Sequence, residues 1–167
     1  VFAYYLASPF MLILVLLPRT MMATSILILQ LAKIGTAAVT FMFFLKKISV
    51  QKPKTISLII FPTMYALMSY MVVQLMDPMW LDGLIYLPLI CWGVHRLVDE
   101  GKLVPYIVPL ALMFIAHFYI GYMVGIFTFF YFCWYCLSRE GRILPKKFFS
   151  RCVAFGIGTL VALSLIH

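Results

Sequence analysis

Long stretches without a charged residue constrain this sequence more than any other feature. The longest runs from Leu103 to Leu137 and contains no Asp, Glu, Lys or Arg in 35 residues. A helix that crosses a bilayer needs about 20 successive apolar residues, so runs of this kind are typical of membrane spans. Of all residues, 65% are hydrophobic and 11% are charged, against roughly 25% charged in soluble domains. The sequence therefore predicts an all-α, polytopic transmembrane helix bundle and excludes a soluble or disordered domain.

The apolar runs predict one membrane domain over residues 1–167, with six spans and a short helix before them. The spans are expected at about residues 21–45, 56–76, 78–98, 103–117, 121–137 and 148–166. One helix over 103–137 would extend about 52 Å, well beyond a hydrocarbon core of ~30 Å, so we split it at the cluster from His117 to Tyr122. In residues 1–18, the apolar stretch between Pro9 and Pro18 is too short to cross and predicts an outer interfacial or re-entrant helix.

The basic residues predict which side of the membrane each loop occupies. Eleven of the 13 Lys and Arg residues lie in the loops 46–54, 96–102 and 139–151, which alternate with loops poor in Lys and Arg. Cytoplasmic loops carry the excess of Lys and Arg, so these three loops are expected in the cytoplasm. The net charge of +8 then reflects orientation and does not indicate nucleic-acid binding. Because the chain starts with Val and begins and ends in apolar runs, we expect it to be truncated at both ends.

Lys33 lies near the middle of the first predicted span. A charge at that depth costs about 2.5–3.5 kcal/mol on insertion scales, and it marks a functional site by default. All five acidic residues lie near span ends, so we expect none of them as a partner at the depth of Lys33. We favour an anionic ligand such as a lipid phosphate or sugar phosphate. The alternatives are hydrogen bonds to carbonyl groups, or an acid outside this sequence.

The predicted outer side carries an acidic and aromatic cluster. Asp77 is expected to cap a helix that begins at the next residue, and Trp80 suits the aromatic belt of a membrane interface. Asp82 falls in the first helical turn, where the helix dipole favours an anion. Asp82 could orient a sugar hydroxyl, pair with Arg19 or Lys33, or act as a catalytic base, which makes it the catalytic candidate in this chain.

The turn from His117 to Tyr122 is expected on the same outer side. Aromatic rings with polar tips suit sugar stacking, and a histidine can move protons near neutral pH. An aromatic belt around a tight turn would give the same pattern. No metal site is predicted, since the CxxC spacing of Cys133 and Cys136 lies inside an apolar span. The predicted substrate-binding residues are Lys33, Arg19, Asp77, Trp80, Asp82, His117, Tyr119 and Tyr122.

Four stretches of this sequence resemble the YfhO family of bacterial integral membrane proteins. They are Tyr4–Phe10, Leu31–Gly35, Met79–Leu89 and Phe118–Met123. Members of that family are similar to GT-C-fold glycosyltransferases of Gram-positive bacteria. The resemblance implies transfer of a sugar from a polyprenyl-phosphate carrier to a cell-surface polymer, such as lipoteichoic acid, on the outer face of the cell membrane. It implies no cofactor besides the lipid-linked donor. The partners it implies are membrane lipid and the acceptor polymer, without nucleic acid.

The resemblance also implies that the usual catalytic carboxylate lies upstream of Val1, so we expect this stretch alone to be inactive. The residues by themselves leave other functions open. An intramembrane lysine, a broken helix pair and aromatic residues at a mouth are also typical of a transporter or flippase for a lipid-linked sugar. We see no inverted repeat that would favour the transporter. A non-catalytic membrane scaffold would leave Lys33 and Asp82 unexplained.

Overall fold

The computed structural model describes residues 8–11, 14, 21–49, 51–139 and 145–165, and in these ranges all regular structure is helical. The prediction of an all-α chain is therefore confirmed. The α-helices are α1 (Met22–Ile48), α2 (Thr55–Ala66), α3 (Ser69–Val73), α4 (Asp82–Glu100), α5 (Val104–Ala116), α6 (Phe118–Ser138) and α7 (Pro145–Ser164). Short 3-10 turns cover Pro9–Met11, Gln74–Met76 and Pro78–Leu81.

Within the described ranges, three helical segments are long and apolar enough to cross a membrane. They are Met22–Ile48, Pro78–Glu100 and Phe118–Ser138. A fourth is present if Thr55–Ala66 and Ser69–Met76, which are bent by 42° relative to each other, count as one span. The apolar helices Val104–Ala116 and Phe148–Ser164 are shorter. At about 1.5 Å per residue α5 extends only about 20 Å, so the six-span topology stays a prediction.

Two predicted helix boundaries need correction. The predicted span 56–76 is a bent pair, because Met68 adopts an extended conformation (φ −63°, ψ 156°) between α2 and α3. The helix expected to begin at Pro78 starts as a 3-10 turn, and regular α-helix begins only at Asp82. Asp77 precedes that turn, but its side chain makes no capping hydrogen bond. Its backbone carbonyl accepts the Trp80 N–H at 3.0 Å instead.

Helix α4 is the centre of the bundle and packs against α1, α5, α6 and α7. Glycines permit the closest of these contacts. A Cβ added at Gly93 would lie 2.4 Å from the carbonyl oxygen of Pro105, next to the start of α5. A Cβ added at Gly83 would lie 2.6 Å from Ile120 Cγ2, near the start of α6. The first turn of α4 is thereby held against the first turn of α6.

The first 18 residues are described only at 8–11 and 14. Pro9–Met11 forms one 3-10 turn, and that turn contacts α1. The rest of the predicted interfacial helix lies outside the described residues, as does Arg19.

Candidate functional site

A buried ion pair joins α1 to the start of α4. The Nζ atom of Lys33 lies 2.8 Å from Oδ1 of Asp82, and both side chains are 0% exposed. The same Nζ donates a hydrogen bond of 2.8 Å to the backbone carbonyl of Pro78. The expectation that no acid would meet Lys33 is therefore wrong. Of the alternatives considered for Asp82, pairing with Lys33 is the one that the structure contains.

The pair forms because the chain before α4 is not one regular helix, which would carry the start of α4 away from the middle of α1. Lys33 lies about 16 Å along α1 from its first residue, which is well inside a span. Asp82 meets it there because α3 and the two 3-10 turns between Ser69 and Leu81 place the start of α4 next to the middle of α1. Sequence hydropathy suggested one straight helix ending near Met76, and so placed Asp82 at the surface.

Apolar and aromatic groups surround the ion pair. The ring of Phe10 lies 5.5 Å from Nζ of Lys33, a distance at which a cation–π attraction operates. Around the pair, Ala37, Met71, Leu81 and Ile85 form a small buried cluster. Separating two charges in so apolar a setting would be costly, which is why buried charges are paired.

Oδ2 of Asp82 is buried and has no hydrogen-bond partner among the described residues. Lys33 has three N–H donors, and Asp82 and the Pro78 carbonyl engage two of them. One donor on Lys33 and one acceptor oxygen on Asp82 are therefore left for another group.

His117 lies next to this pair and separates α5 from α6. Its side chain is 0% exposed, and its Nδ1 accepts the backbone N–H of Ile120 at 3.2 Å, which caps α6. Its ring interacts electrostatically with both Asp82 and Lys33. The break predicted between His117 and Tyr122 is thus a single residue, and α6 begins at Phe118, three residues before the predicted span.

The aromatic residues named from the sequence form a rim that is only partly exposed, since Trp80 is half-buried. The rings of Trp80 and Tyr119 are tilted at 47° with centroids 6.3 Å apart. Tyr119 and Tyr122 are 45% and 59% exposed, and Asp77 is exposed as well. The structure therefore brings Trp80 and Tyr119 together, while Tyr122 lies one helical turn further along α6.

Sequence reasoning missed Gln30 and Tyr65. Gln30 Nε2 donates a hydrogen bond of 2.6 Å to the Leu75 carbonyl, and Tyr65 Oη donates one of 2.8 Å to the Leu84 carbonyl. The signal for Gln30 was its spacing, since it precedes Lys33 by three residues and so lies on the same helix face. Nothing in the sequence singled out Tyr65.

A second polar network links α4 to α6 at their other ends. Nε2 of His95 and Oη of Tyr131 lie 2.7 Å apart, and the His95 ring stacks on Tyr135 at 3.9 Å. Tyr135 Oη donates to Asp99 at 2.8 Å, and Arg139 contacts both of these residues. Its charged members, Asp99 and Arg139, contact each other. A structural link between α4 and α6 is therefore sufficient to explain this network.

No chemistry of a metal centre is visible in the parts of the chain that the structure describes. No group of three or more His, Cys, Asp or Glu side chains is placed to hold a metal ion there. All four cysteines are free thiols.

A comparison with protein-family models matches residues 1–166 to a family described as bacterial membrane protein YfhO. No curated protein and no solved structure matches the chain. The four stretches that resembled this family are therefore part of a match over almost the whole chain.

Proposed function

Because this chain belongs to the YfhO family of bacterial membrane proteins, we propose that it forms part of a membrane glycosyltransferase. The enzyme would move a sugar from a polyprenyl-phosphate carrier to a cell-surface polymer such as lipoteichoic acid on the outer face. The observation that carries the proposal is the Lys33–Asp82 pair, buried at 0% exposure beside the aromatic rim of Trp80 and Tyr119. The pair supports the proposal because a charged lysine and a carboxylate are the groups that phosphate binding and proton transfer would need, and aromatic rings suit a sugar ring.

The reaction needs a base, cationic donors for the departing phosphate, and a surface that binds the sugar. The acceptor hydroxyl oxygen bonds to the anomeric carbon, the bond from that carbon to the phosphate oxygen breaks, and a base takes the hydroxyl proton. Cationic donors stabilise the departing phosphate, and the remaining N–H of Lys33 could supply one, with Arg19 as a second candidate. The family resemblance implies a base upstream of Val1, and Asp82 is the candidate within this chain. Trp80, Asp77, Tyr119 and Tyr122 would bind the sugar, with His117 beside them.

The proposal includes a topology. In it the six predicted segments cross the cell membrane, the basic loops 46–54, 96–102 and 139–151 face the cytoplasm, and the site faces outward. The Lys and Arg distribution supports this arrangement.

A sugar-transfer assay on the intact protein in detergent tests the function. The donor is a short-chain polyprenyl-phosphate sugar and the acceptor a polyol phosphate. We expect Asp82→Asn to lower kcat by about 10²-fold or more if it serves as base. Trp80→Leu should chiefly raise KM for the donor, by about tenfold, because an aromatic face is lost. Glu100→Gln, at the other end of α4, should change neither value.

Transfer that is equally fast in all three variants would leave an enzyme whose site lies elsewhere, which contradicts the proposed site. Each variant is compared at equal folded fraction, because Asp82→Asn also removes one side of the ion pair. Absence of transfer by the unmodified protein with every donor tried would overturn the proposed activity.

A transporter or flippase for the lipid-linked sugar is the second candidate. The bent pair Thr55–Ala66 and Ser69–Met76, next to a buried charge, favours it, since transporters place discontinuous helices around their binding sites. Detergent removes the two leaflets, so a transporter shows no transfer in that assay. Movement of a labelled lipid-linked sugar across reconstituted vesicles, without transfer in detergent, would establish this second function.

A further inference from the structure

The irregular stretch from Gln74 to Leu81 leaves a backbone carbonyl group without a hydrogen bond from its own segment. It consists of two 3-10 turns, Gln74–Met76 and Pro78–Leu81, on either side of Asp77. Asp77 lies between the two turns with φ −119° and ψ 72°, which is not a helical conformation. The 3-10 hydrogen-bond pattern therefore stops at Asp77 and does not continue through Pro78, which has no N–H. A backbone carbonyl that is shielded from water and lacks a donor costs about 1–3 kcal/mol, so a side-chain donor stabilises this stretch.

Two side chains of α1 donate to this stretch. Gln30 Nε2 donates to the Leu75 carbonyl at 2.6 Å, where the backbone pattern of the two turns is interrupted. Lys33 Nζ reaches the Pro78 carbonyl at 2.8 Å. The two donors are three residues apart on α1 and the two acceptors are three residues apart in the stretch, so the spacings match along adjacent segments.

We propose that Gln30 and Lys33 form a clamp that fixes residues 74–81 against the middle of α1, with Gln30 as a positioning residue for Trp80 and Asp82. The two members have separate tasks. Lys33 also binds Asp82 and holds the start of α4. Gln30 holds the part before Asp77, where Met76 is 91% exposed and contributes little packing.

The clamp does not depend on the proposed sugar transfer. It concerns the position of a backbone segment, so it holds for a transferase, a transporter or a scaffold alike. An assay of local backbone protection can therefore test it separately from any assay of activity.

Hydrogen–deuterium exchange of the intact protein in detergent, resolved over residues 74–81, is the test. Gln30→Leu removes the donor, and Gln30→Met removes it while keeping the length of the side chain. We expect exchange in this stretch to rise about fivefold or more in both, the population change that follows from loss of one hydrogen bond. The rest of the chain should keep its exchange rates. Thr36→Val is the matched control, because the Thr36 hydroxyl bonds only the Ala32 carbonyl within α1.

A second variant keeps the test falsifiable. If Gln30→Leu gives no folded protein, Gln30→Met, which keeps the length of the side chain, carries the measurement. Unchanged exchange in both Gln30 variants would overturn the proposal. An equal rise in Thr36→Val, or a rise throughout the chain, would also overturn it.

Discussion

Lys33 and Asp82 show how a charge is accommodated inside an apolar bundle. Each is fully buried, and each has the other as its ionic partner. The pair offsets a desolvation cost of several kcal/mol per ion, so its net contribution to stability is small, while loss of one partner strands the other. Lys33 also donates a hydrogen bond to the Pro78 carbonyl. It therefore both neutralises the charge of Asp82 and stabilises the irregular backbone before α4.

Substitution of this pair should therefore be strongly non-additive. We expect Lys33→Met or Asp82→Leu alone to lower the free energy of unfolding by about 3–5 kcal/mol, because an uncompensated charge or its protonated form is left buried. The double variant should lose much less than the sum. Unfolding midpoints in detergent for the full cycle measure this, with Lys102→Ala as a control that breaks an exposed ion pair. Additive losses would mean that the two side chains do not interact.

Residue chemistry in the sequence identified most members of the candidate site but not their contacts. Asp82 was named because a carboxylate in a first helical turn suits the helix dipole, Trp80 because an indole suits a membrane interface, and His117 because an imidazole can move protons near neutral pH. The Lys33–Asp82 contact was only one of several alternatives for Asp82, because periodicity gives the face of a residue and not the depth at which a broken helix begins. Gln30 was missed because its partner is a backbone carbonyl, that of Leu75, 45 positions further along the chain.

At the scale of elements, two glycines lie in opposite packing environments, and Gly93 sets the distance between α4 and α5. Gly93 lets α4 approach the backbone of α5, where an added Cβ would be 2.6 Å from the Tyr106 Cα. Backbone atoms cannot move aside as a flexible side chain can. Gly35 in α1 has open space around it, with nothing within 4 Å of an added Cβ.

Alanine at these two positions should have opposite effects. Gly93→Ala should destabilise by about 1–3 kcal/mol, the usual cost of overpacking, because α4 and α5 must separate. Gly35→Ala should stabilise by up to about 1 kcal/mol, because alanine is the better helix former and meets no neighbour. Thermal unfolding of both variants in the same detergent checks the pair. A Gly93→Ala protein as stable as the unmodified one would contradict the close α4–α5 contact.

The helical elements were largely predictable and their interruptions were not. Apolar runs placed α1, α4 and α6 because long uncharged stretches in such a chain become helices. The break at Met68 carries no proline or glycine, so no local signal announced it. The 3-10 turn before Asp82 was hidden by a proline that fits the first turn of an ordinary helix equally well.

The number of crossings is a property of the whole molecule. Within the described residues three or four segments meet the length criterion for a span, whereas the charge pattern favours six. The two counts disagree about residues 103–137, which cross the membrane once in the first count and twice in the second. Lys102 and Ser138 lie on the same side only if this stretch crosses twice, as α5 and α6.

Cysteine labelling decides between these topologies. In a chain with its own four cysteines replaced, we expect Lys102→Cys and Ser138→Cys to resist an impermeant thiol reagent in intact cells and to react after permeabilisation. Both positions are exposed, so accessibility depends on the side of the membrane. Met76→Cys, on the predicted outer side, is the opposite control. Labelling of Ser138→Cys but not Lys102→Cys in intact cells would show that 103–137 crosses once.

The separation of Lys33 from Asp82 along the chain has a consequence for biogenesis. A ribosome adds about 5–20 residues per second, so Lys33 emerges on the order of 2–10 s before its counter-ion. During that interval α1 carries an ammonium group whose partner in the finished bundle has not yet been made. Water or lipid headgroups must solvate this group until α4 arrives.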